Sequence, residues 1–153
     1  MSGEIGGFGL VVTLLADKTF PAGLVIESFA DDADPFDFPD IQVVDIAMGL
    51  NGDMVSWQKA QVLPVSLSVI PESDDDNNLN VLLLANRVGK NLQSARDKIT
   101  LVGRYPSGAI VTLTPGRITN GPVSNSVASA GRMKSKTYKF AFENIVIARV
   151  PSV

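Results

Sequence analysis

The sequence predicts a mainly β domain, an antiparallel sandwich or barrel of about seven or eight strands with one flanking α-helix near residues 74–88. Three observations predict this fold. Apolar and polar residues alternate in several short segments, an Asn-Gly pair marks a tight turn at residues 51–52, and one segment carries the start features of a helix. With 153 residues, the chain can bury its own core as a single domain over residues 1–153.

Two hairpins are predicted near the start of the chain. Residues 8–16 (FGLVVTLLA) and 24–29 (LVIESF) are apolar and flank a Pro- and Gly-containing turn, which is typical of a β-hairpin. Residues 41–50 and 54–57 flank the turn at residues 51–53 and predict a second hairpin. The strand before that turn carries three apolar side chains on one face: Val44, Ile46 and Met48.

The next strand shows the clearest alternation in the chain. Residues 62–70 (VLPVSLSVI) place Ser66 and Ser68 opposite an apolar face. We expect four side chains to point into the core: Leu63, Val65, Leu67 and Val69.

A helix is predicted directly after this strand. Ser73 is suited to cap its first turn, and residues 74–76 are aspartates, which favour the positive end of the helix dipole. Gly89 is the expected C-cap. One face of the helix would carry Leu79, Leu82, Leu83 and Asn86. The triple aspartate therefore has a structural explanation, which we favour over a chemical role.

The second half of the chain returns to strands. Residues 98–105 and 109–118 predict a hairpin across a Pro-Ser-Gly turn, and a long polar loop with a basic end follows over residues 119–136. Residues 137–150 alternate and predict the last strand. Its core face would carry Tyr138, Phe140 and Phe142. The glycine-rich residues 1–7 precede a strand instead of opening a helix, so they predict a flexible arm and not a phosphate loop.

Composition excludes several classes of function. The chain has no cysteine and no histidine, which excludes disulfides and thiolate metal sites and removes the commonest general base. No serine lies in a G-x-S-x-G motif. Charged residues make up only 19% of the chain, which is typical of a protein that hides surface in an assembly. The sequence contains no membrane-length apolar run and no signal-like basic start, so we expect a protein that stays in the cytoplasm or leaves it without secretion.

Charge is divided unevenly along the chain. Residues 1–80 hold 14 acidic and two basic side chains, whereas residues 81–153 hold two acidic and 11 basic ones. Such asymmetry indicates charged partners. Three interpretations stay open: the basic half binds nucleic acid, the two halves of different copies bind each other, or the halves interleave within one fold and neutralise each other.

The most unusual segment is FADDADPFDFPD, residues 29–40, with five aspartates and two prolines. It lacks the glycine and the distal glutamate of an EF-hand, although an irregular cation site or a catalytic carboxylate pair stays open. Because Phe36 and Phe38 are rimmed by acids, we expect them to stay out of the core and to serve an interface. The basic run that ends the polar loop either contacts another subunit or binds phosphates.

We therefore predict no enzyme activity, no catalytic residue, no cofactor and no bound metal. The predicted inter-subunit or inter-ring contacts are Asp31, Asp32, Asp34, Phe36, Asp37, Phe38, Asp40, Arg132, Lys134 and Lys136.

The order of elements resembles a known family. The segments VVDIAMGLNGDMVSW (43–57), QVLPVSLSVIPESDDDNNLNVLLLANR (61–87) and YKFAFENIVIA (138–148) carry the resemblance. Their arrangement is similar to that of tail tube proteins of contractile-tailed bacteriophages, which are related in fold to bacteriocin tubes and the tube of type VI secretion. The resemblance covers the whole chain through element order and contains no signature motif.

The resemblance implies a structural virion protein of the tail, assembled in the host cytoplasm. Six copies would close into a ring, their inner sheets would form a barrel around a lumen, and the rings would stack head to tail. Acidic walls would let DNA pass during ejection without adhering, while the basic residues would serve subunit and ring contacts. Sheath, baseplate and tail terminator proteins are the implied partners, with the helix on the outside, toward a sheath.

Other functions stay open on the sequence. One is a ring-forming tail terminator or baseplate protein of the same fold. Another is a calcium-dependent β-sandwich binding module. A third is an enzyme with two acids converging in one pocket, one of them with a raised pKa.

Overall fold

The computed structural model describes residues 9–30, 35–125, 127, 131 and 134–149. Within these residues the chain forms ten β-strands and one α-helix. In chain order they are β1 (Val11–Ala16), β2 (Phe20–Ile26), β3 (Phe36–Asp37), β4 (Val44–Met48), β5 (Met54–Gln58), β6 (Leu63–Val69), α1 (Asp74–Ala85), β7 (Ile99–Arg104), β8 (Ile110–Asn120), β9 (Lys136–Phe142) and β10 (Ile145–Ala148).

Eight strands form one antiparallel sheet with β8 at its centre. The order is β2-β1-β7-β8-β9-β6-β3, and β10 also pairs with β8. The first part of β8 lies between β7 and β10, and β9 pairs with β8 from Gly116 onward. The strands β9 and β10 thus follow one another along the same edge of β8, with a break at residues 143–144.

The predicted mainly β fold with one helix is confirmed. The described strands number two more than the upper predicted count, for two reasons. The strand β3 is only two residues long, too short to leave a pattern in the sequence. The predicted last strand divides into β9 and β10, because the N–H of Glu143 turns to the carbonyl of Pro115 at 2.9 Å.

Apolar side chains from both ends of the sheet meet in one core. Val12 and Leu14 of β1 are fully buried, as are Tyr138 and Phe140 of β9. One cluster contains the inward side chains of β1, β2 and β7 together with those of β6 and β9, so the sheet folds over onto itself as a sandwich. The described strands do not close into a barrel.

The inward face predicted for residues 63–69 is confirmed for Val65, Leu67 and Val69, while Leu63 is only partly buried. Ser68 is the exception on the other face, because it is buried although we predicted it opposite the apolar face. Its carbonyl accepts a hydrogen bond from the N–H of Ala30, and its hydroxyl lies 2.9 Å from that of Thr137.

The helix begins where the sequence predicts. The Ser73 hydroxyl accepts a hydrogen bond from the N–H of Asp76, the geometry of an N-cap. The predicted stop at Gly89 is wrong, because the helix ends at Ala85 with Asn86 as its C-cap. The Asn86 side chain donates to the carbonyl of Leu82 at 2.9 Å. This bond provides a partner for a carbonyl group in the last turn of the helix without a glycine C-cap.

Two of the three aspartates at the helix start are buried and join the helix to the sheet. Asp75 accepts hydrogen bonds from the N–H groups of Glu27 and Ser28, at 2.7 and 2.8 Å, just after β2. Asp76 pairs with Lys136 of β9. The structural explanation of the triple aspartate therefore holds, although these two residues act through long-range contacts and not only through the helix dipole. The helix of the described residues is too short and too polar to span a membrane.

Candidate assembly surfaces

A free-standing hairpin is the most exposed element of the described chain. Strands β4 and β5 form a two-stranded sheet of their own, with Val44 opposite Gln58 and Met48 opposite Met54. The turn between them is closed by a hydrogen bond of 2.7 Å from the N–H of Gly49 to the carbonyl of Asp53. The sequence predicted this hairpin and its turn, but not its separation from the main sheet.

Both faces of the hairpin carry exposed apolar side chains. Because residues alternate between the faces of a strand, one face holds Ile46, Met48 and Met54, which are 61%, 71% and 65% exposed. The opposite face holds Val55 and Trp57, of which Trp57 is 54% exposed. A lone two-stranded hairpin is at best marginally stable in water, and large exposed apolar surfaces mark interaction sites. The hairpin is therefore suited to be covered by another molecule.

The hairpin is also mainly acidic. Asp40 precedes it, Asp53 lies in its turn, and Asp45 lies on β4, all of them exposed. Lys59 is its one base and lies 3.6 Å from the Asp45 carboxylate. A partner surface for this element would combine apolar and basic side chains.

The predicted contact residues fall into three groups. Four of them, Asp31, Asp32, Asp34 and Arg132, lie outside the described residues, as do residues 1–7 of the predicted arm. Asp37 is half-buried, and Asp40 and Lys134 are exposed. The remaining three are partly or fully buried within the subunit: Phe36, Phe38 and Lys136.

The expectation that Phe36 and Phe38 stay out of the core is wrong. Both rings are partly buried and pack against the core cluster, and their centroids lie 4.7 Å apart in an edge-to-face arrangement. The cause is the short strand β3, which pairs Phe36 with Leu67 and so draws the segment onto the sheet. The acids beside the rings did not prevent this, because strand pairing separates neighbouring side chains onto opposite faces.

Lys136 is buried within the subunit. Its ammonium lies 3.2 Å from the Asp76 carboxylate, and both side chains are almost fully buried. The Tyr138 hydroxyl donates to the same carboxylate at 2.9 Å. Burial, together with the neighbouring Asp76 charge, raises the pKa of Tyr138. This cluster fixes the start of the helix to β9, and sequence patterning could not show the pairing because 60 positions separate Asp76 from Lys136.

The charges of the two halves do not neutralise each other by pairing in the described part of the chain. Only two ion pairs form there, Lys59–Asp45 and Lys136–Asp76, and only the second joins the acidic to the basic half. The halves do interleave in the sheet, since β1 pairs with β7 and β6 with β9. Most of the exposed charged side chains of the described residues therefore form no ion pair within the subunit.

A second surface lies between the helix and β7, on residues 86–98, which we call the basic loop. Four exposed bases lie on it: Arg87, Lys90, Arg96 and Lys98. Val88 and Leu92 are exposed beside them, at 73% and 48%. Sequence reasoning missed this loop as a site, although four bases and two apolar residues within 12 positions were a visible pattern.

Asp97 holds the basic loop to the turn after β1 and to the end of the helix. It is fully buried, and its carboxylate accepts hydrogen bonds from the N–H groups of Lys18 and Thr19, both at 2.9 Å, and from the Asn86 side chain at 2.8 Å. Burial alone would raise the pKa of this carboxyl group, but the hydrogen bonds from Thr19, Asn86 and Lys18 outweigh burial and lower the pKa. The loop is thus held by a carboxylate that stays ionised.

A third exposed apolar surface is the edge strand β10. Its partner in the described chain is β8 alone, and Val146 and Ile147 are 65% and 46% exposed. Exposed strand edges are available for pairing with another chain.

The described residues offer few groups for metal binding or for acid–base catalysis. They contain no cluster of three or more acidic side chains that could hold a metal ion. Five shallow clefts on the described surface are each lined by at most one acidic residue, such as Glu72 or Glu143. No converging acid pair is therefore found in these clefts.

Comparison with known proteins gives one family and several structures. A family model described as Tail fiber protein gp32 matches residues 3–146. No curated protein sequence matches the chain.

Three solved structures share the fold. A chain of the PVC sheath-tube complex, an extracellular contractile injection system in the extended state, aligns with a TM-score of 0.57 and 12% identity, covering 98% of this chain and 95% of that one. A chain of the PVC sheath/tube terminator aligns with a TM-score of 0.55 and 12% identity, covering 97% of this chain and 99% of that one. A chain of the baseplate of the anti-feeding prophage aligns with a TM-score of 0.53 and 10% identity, covering 97% of this chain and 98% of that one. At these identities the comparison shows a common fold.

Proposed function

The chain belongs to the family described as Tail fiber protein gp32, and we propose that it is the tube subunit of a contractile tail, a structural protein that builds stacked hexameric rings. The family gives a tail-associated structural role, and the structural neighbours are contractile injection system proteins. The finer assignment to the tube is supported by the shared fold with a chain of a sheath-tube complex along nearly the whole length of both.

The hairpin β4–β5 is the observation that carries the proposal. A subunit that works alone gains nothing from ten hairpin residues that expose apolar side chains on both faces. In a ring or a stack of rings, a neighbouring copy covers the hairpin. Burial of such side chains contributes about 25 cal/mol per Å² of apolar surface, which stabilises the contact.

The distribution of charge supports contacts between copies in the same way. Acidic side chains around the hairpin and basic ones around the loop at residues 86–98 lie on different parts of one subunit. Head-to-tail contacts join unlike surfaces of identical subunits, so opposite charges on the two surfaces favour them.

The remaining parts of the proposal follow from the ring. Acidic side chains on the inner wall would repel DNA phosphates and let DNA pass through the lumen during ejection. Sheath, baseplate and terminator proteins would contact the outside and the ends of the tube. The particle would be assembled in the host cytoplasm, and the protein would reside in the tail of the virion.

Electron microscopy of the purified protein over a concentration series, with the mass from light scattering, tests the proposal. We expect hollow tubes or stacked six-fold rings. The double change Ile46→Ser and Met54→Ser should raise the concentration needed for assembly by roughly tenfold or more, because the contact loses two apolar side chains. Val123→Ser, at a residue 64% exposed outside the hairpin, is the matched control and should leave assembly unchanged. Wild-type protein that stays monomeric at every concentration would argue against the proposal.

A tail terminator or baseplate ring is the second candidate. The observation in its favour is that chains of a terminator and of a baseplate share the fold about as closely as a chain of the sheath-tube complex does. Discrete rings that never stack in the same micrographs would favour this candidate over the tube.

A further inference from the structure

We propose that the hairpin β4–β5 of one copy docks on the basic loop, residues 86–98, of a second copy. The inference rests on the proposed function, because it names the two surfaces that meet when copies assemble. The hairpin carries exposed apolar and acidic side chains, and the basic loop carries exposed apolar and basic ones, so their charges are complementary.

The basic loop is rigidly supported at its base. The N–H of Asp97 donates to the Asn86 side chain at 2.9 Å, and the N–H of Ala95 donates to the carbonyl of Ala85 at 2.8 Å. A further bond of 3.0 Å runs from the N–H of Leu92 to the carbonyl of Gly89. Together with the buried Asp97 carboxylate, these bonds hold the loop in one shape, so little conformational entropy is lost when a partner binds.

The outer side of the basic loop combines apolar and basic side chains. Val88 and Leu92 line a shallow cleft together with Arg96, and Leu84, near the end of the helix, is 43% exposed. The one acid of the loop, Asp97, is buried, so the four exposed charges of the loop itself are all positive. One exposed acid from outside the loop, Asp17, lies beside it and accepts a hydrogen bond of 2.9 Å from the N–H of Lys98. Apolar anchors with a charged rim are the common composition of a protein interface.

The hairpin has the complementary composition. One face holds Met48 and Met54, with the exposed Asp53 in the adjoining turn, and the opposite face holds Trp57 with the exposed Asp45. The other exposed apolar surface, on β10, is less complementary, because β10 is flanked by one acid, Glu143, and one base, Arg149. Charge thus selects the basic loop over β10 as the surface that receives the hairpin.

Cysteine cross-linking tests the contact directly, because the chain has no cysteine and every disulfide must come from introduced residues. Met54→Cys in one batch and Val88→Cys in a second batch of different mass are mixed under assembly conditions and oxidised. We expect a mixed disulfide between copies. Since a disulfide needs Cα atoms within about 7 Å, the control pair Met54→Cys with Val146→Cys should cross-link at least about tenfold less.

A charge exchange gives an independent readout. Asp53→Lys and Lys90→Glu should each weaken assembly by roughly fivefold or more, because each places like charges in the contact. The combined variant Asp53→Lys with Lys90→Glu should restore most of the wild-type assembly. Asp53→Lys with Arg149→Glu is the matched control and should not. Both positions of the exchange are exposed, so thermal unfolding of each variant should match that of the wild-type subunit.

The outcomes separate the two proposals. If copies assemble but Met54 cross-links to Val146 in preference to Val88, or the charge exchange restores nothing, the docking site is wrong and the tube proposal stands. If the basic loop stays accessible to a labelling reagent in assembled wild-type protein, no second copy covers it and the docking site is again wrong. If wild-type copies do not assemble at all, both proposals fall.

Discussion

At the residue scale, the most consequential side chain is one that no motif revealed. Asp97 joins the turn after β1 to the end of the helix, since its carboxylate accepts hydrogen bonds from Lys18, Thr19 and Asn86. A buried acid is tolerated only with such partners. Sequence patterning could not find it, because its partners lie 78 and 79 positions away along the chain for Thr19 and Lys18.

Asp97→Asn is therefore expected to destabilise the subunit. An amide offers one acceptor oxygen instead of two and adds an N–H group that faces other donors, which should cost about 1–3 kcal/mol of unfolding free energy. Urea unfolding at neutral pH measures this loss. Asp37→Asn, at a half-buried acid on β3, is the control and should change the unfolding free energy far less.

The pH dependence of the unfolding free energy gives a second test of the role of Asp97. The folded-state pKa of Asp97 is lowered, so its stabilising contribution is present above the unfolded pKa, near 3.8, and is lost as the pH falls through the lower folded value. Wild-type stability should fall more steeply below about pH 4 than that of Asp97→Asn. Parallel curves for the two proteins would mean that the carboxylate is not held in its ionised form.

At the element scale, local patterns predicted the individual strands and the helix start well. The alternation in β6 and β9 and the Ser73 cap depend on neighbouring residues and were visible in the sequence. The end of the helix, the pairing of β3 and the separation of β4–β5 depend on contacts between distant segments and were not. One local feature did mark the hairpin, since residues 43–48 are apolar on both faces apart from Asp45.

The hairpin should exchange its amide hydrogens quickly in the isolated subunit. Its backbone bonds are exposed and no third strand of the described chain supports them, whereas β8 has neighbours on both edges. Hydrogen exchange with mass spectrometry, in dilute and in assembled protein, measures this. We expect hairpin protection to rise by about tenfold or more on assembly while that of β8 stays constant, since assembly suppresses only the local opening of the hairpin.

At the scale of the whole molecule, the uneven distribution of acidic and basic residues along the chain was already visible in the sequence. The structure adds that the two halves interleave in the sheet while their charges remain mostly unpaired among the described residues. Which of the predicted contact residues meet a neighbour stays a prediction. The expectation that Phe36 and Phe38 stay out of the core was wrong because strand pairing and packing, unlike composition, are properties of the whole fold.

Assembly should weaken as salt concentration rises. Exposed charges are screened within about 8 Å at physiological ionic strength and within about 3 Å at 1 M, so the electrostatic part of the contact is lost while the apolar part remains. Light scattering from 50 mM to 500 mM salt should show a drop of roughly tenfold in the association constant. The Asp53→Lys and Lys90→Glu exchange variant should keep the wild-type salt dependence, whereas Lys90→Glu alone should lose most of it.

The central position of β8 has a mechanical consequence. Because β7 lies along one edge of this strand and β9 and β10 follow each other along the opposite edge, β8 joins the two halves of the sandwich. The halves also meet where residues 28–30 bond to residues 68–70. A force that pulls the halves apart along the strand direction must shear many hydrogen bonds at once instead of opening them one after another. If the proposed rings form, β8 would let each subunit share an axial load among these hydrogen bonds instead of placing it on single bonds at a strand end.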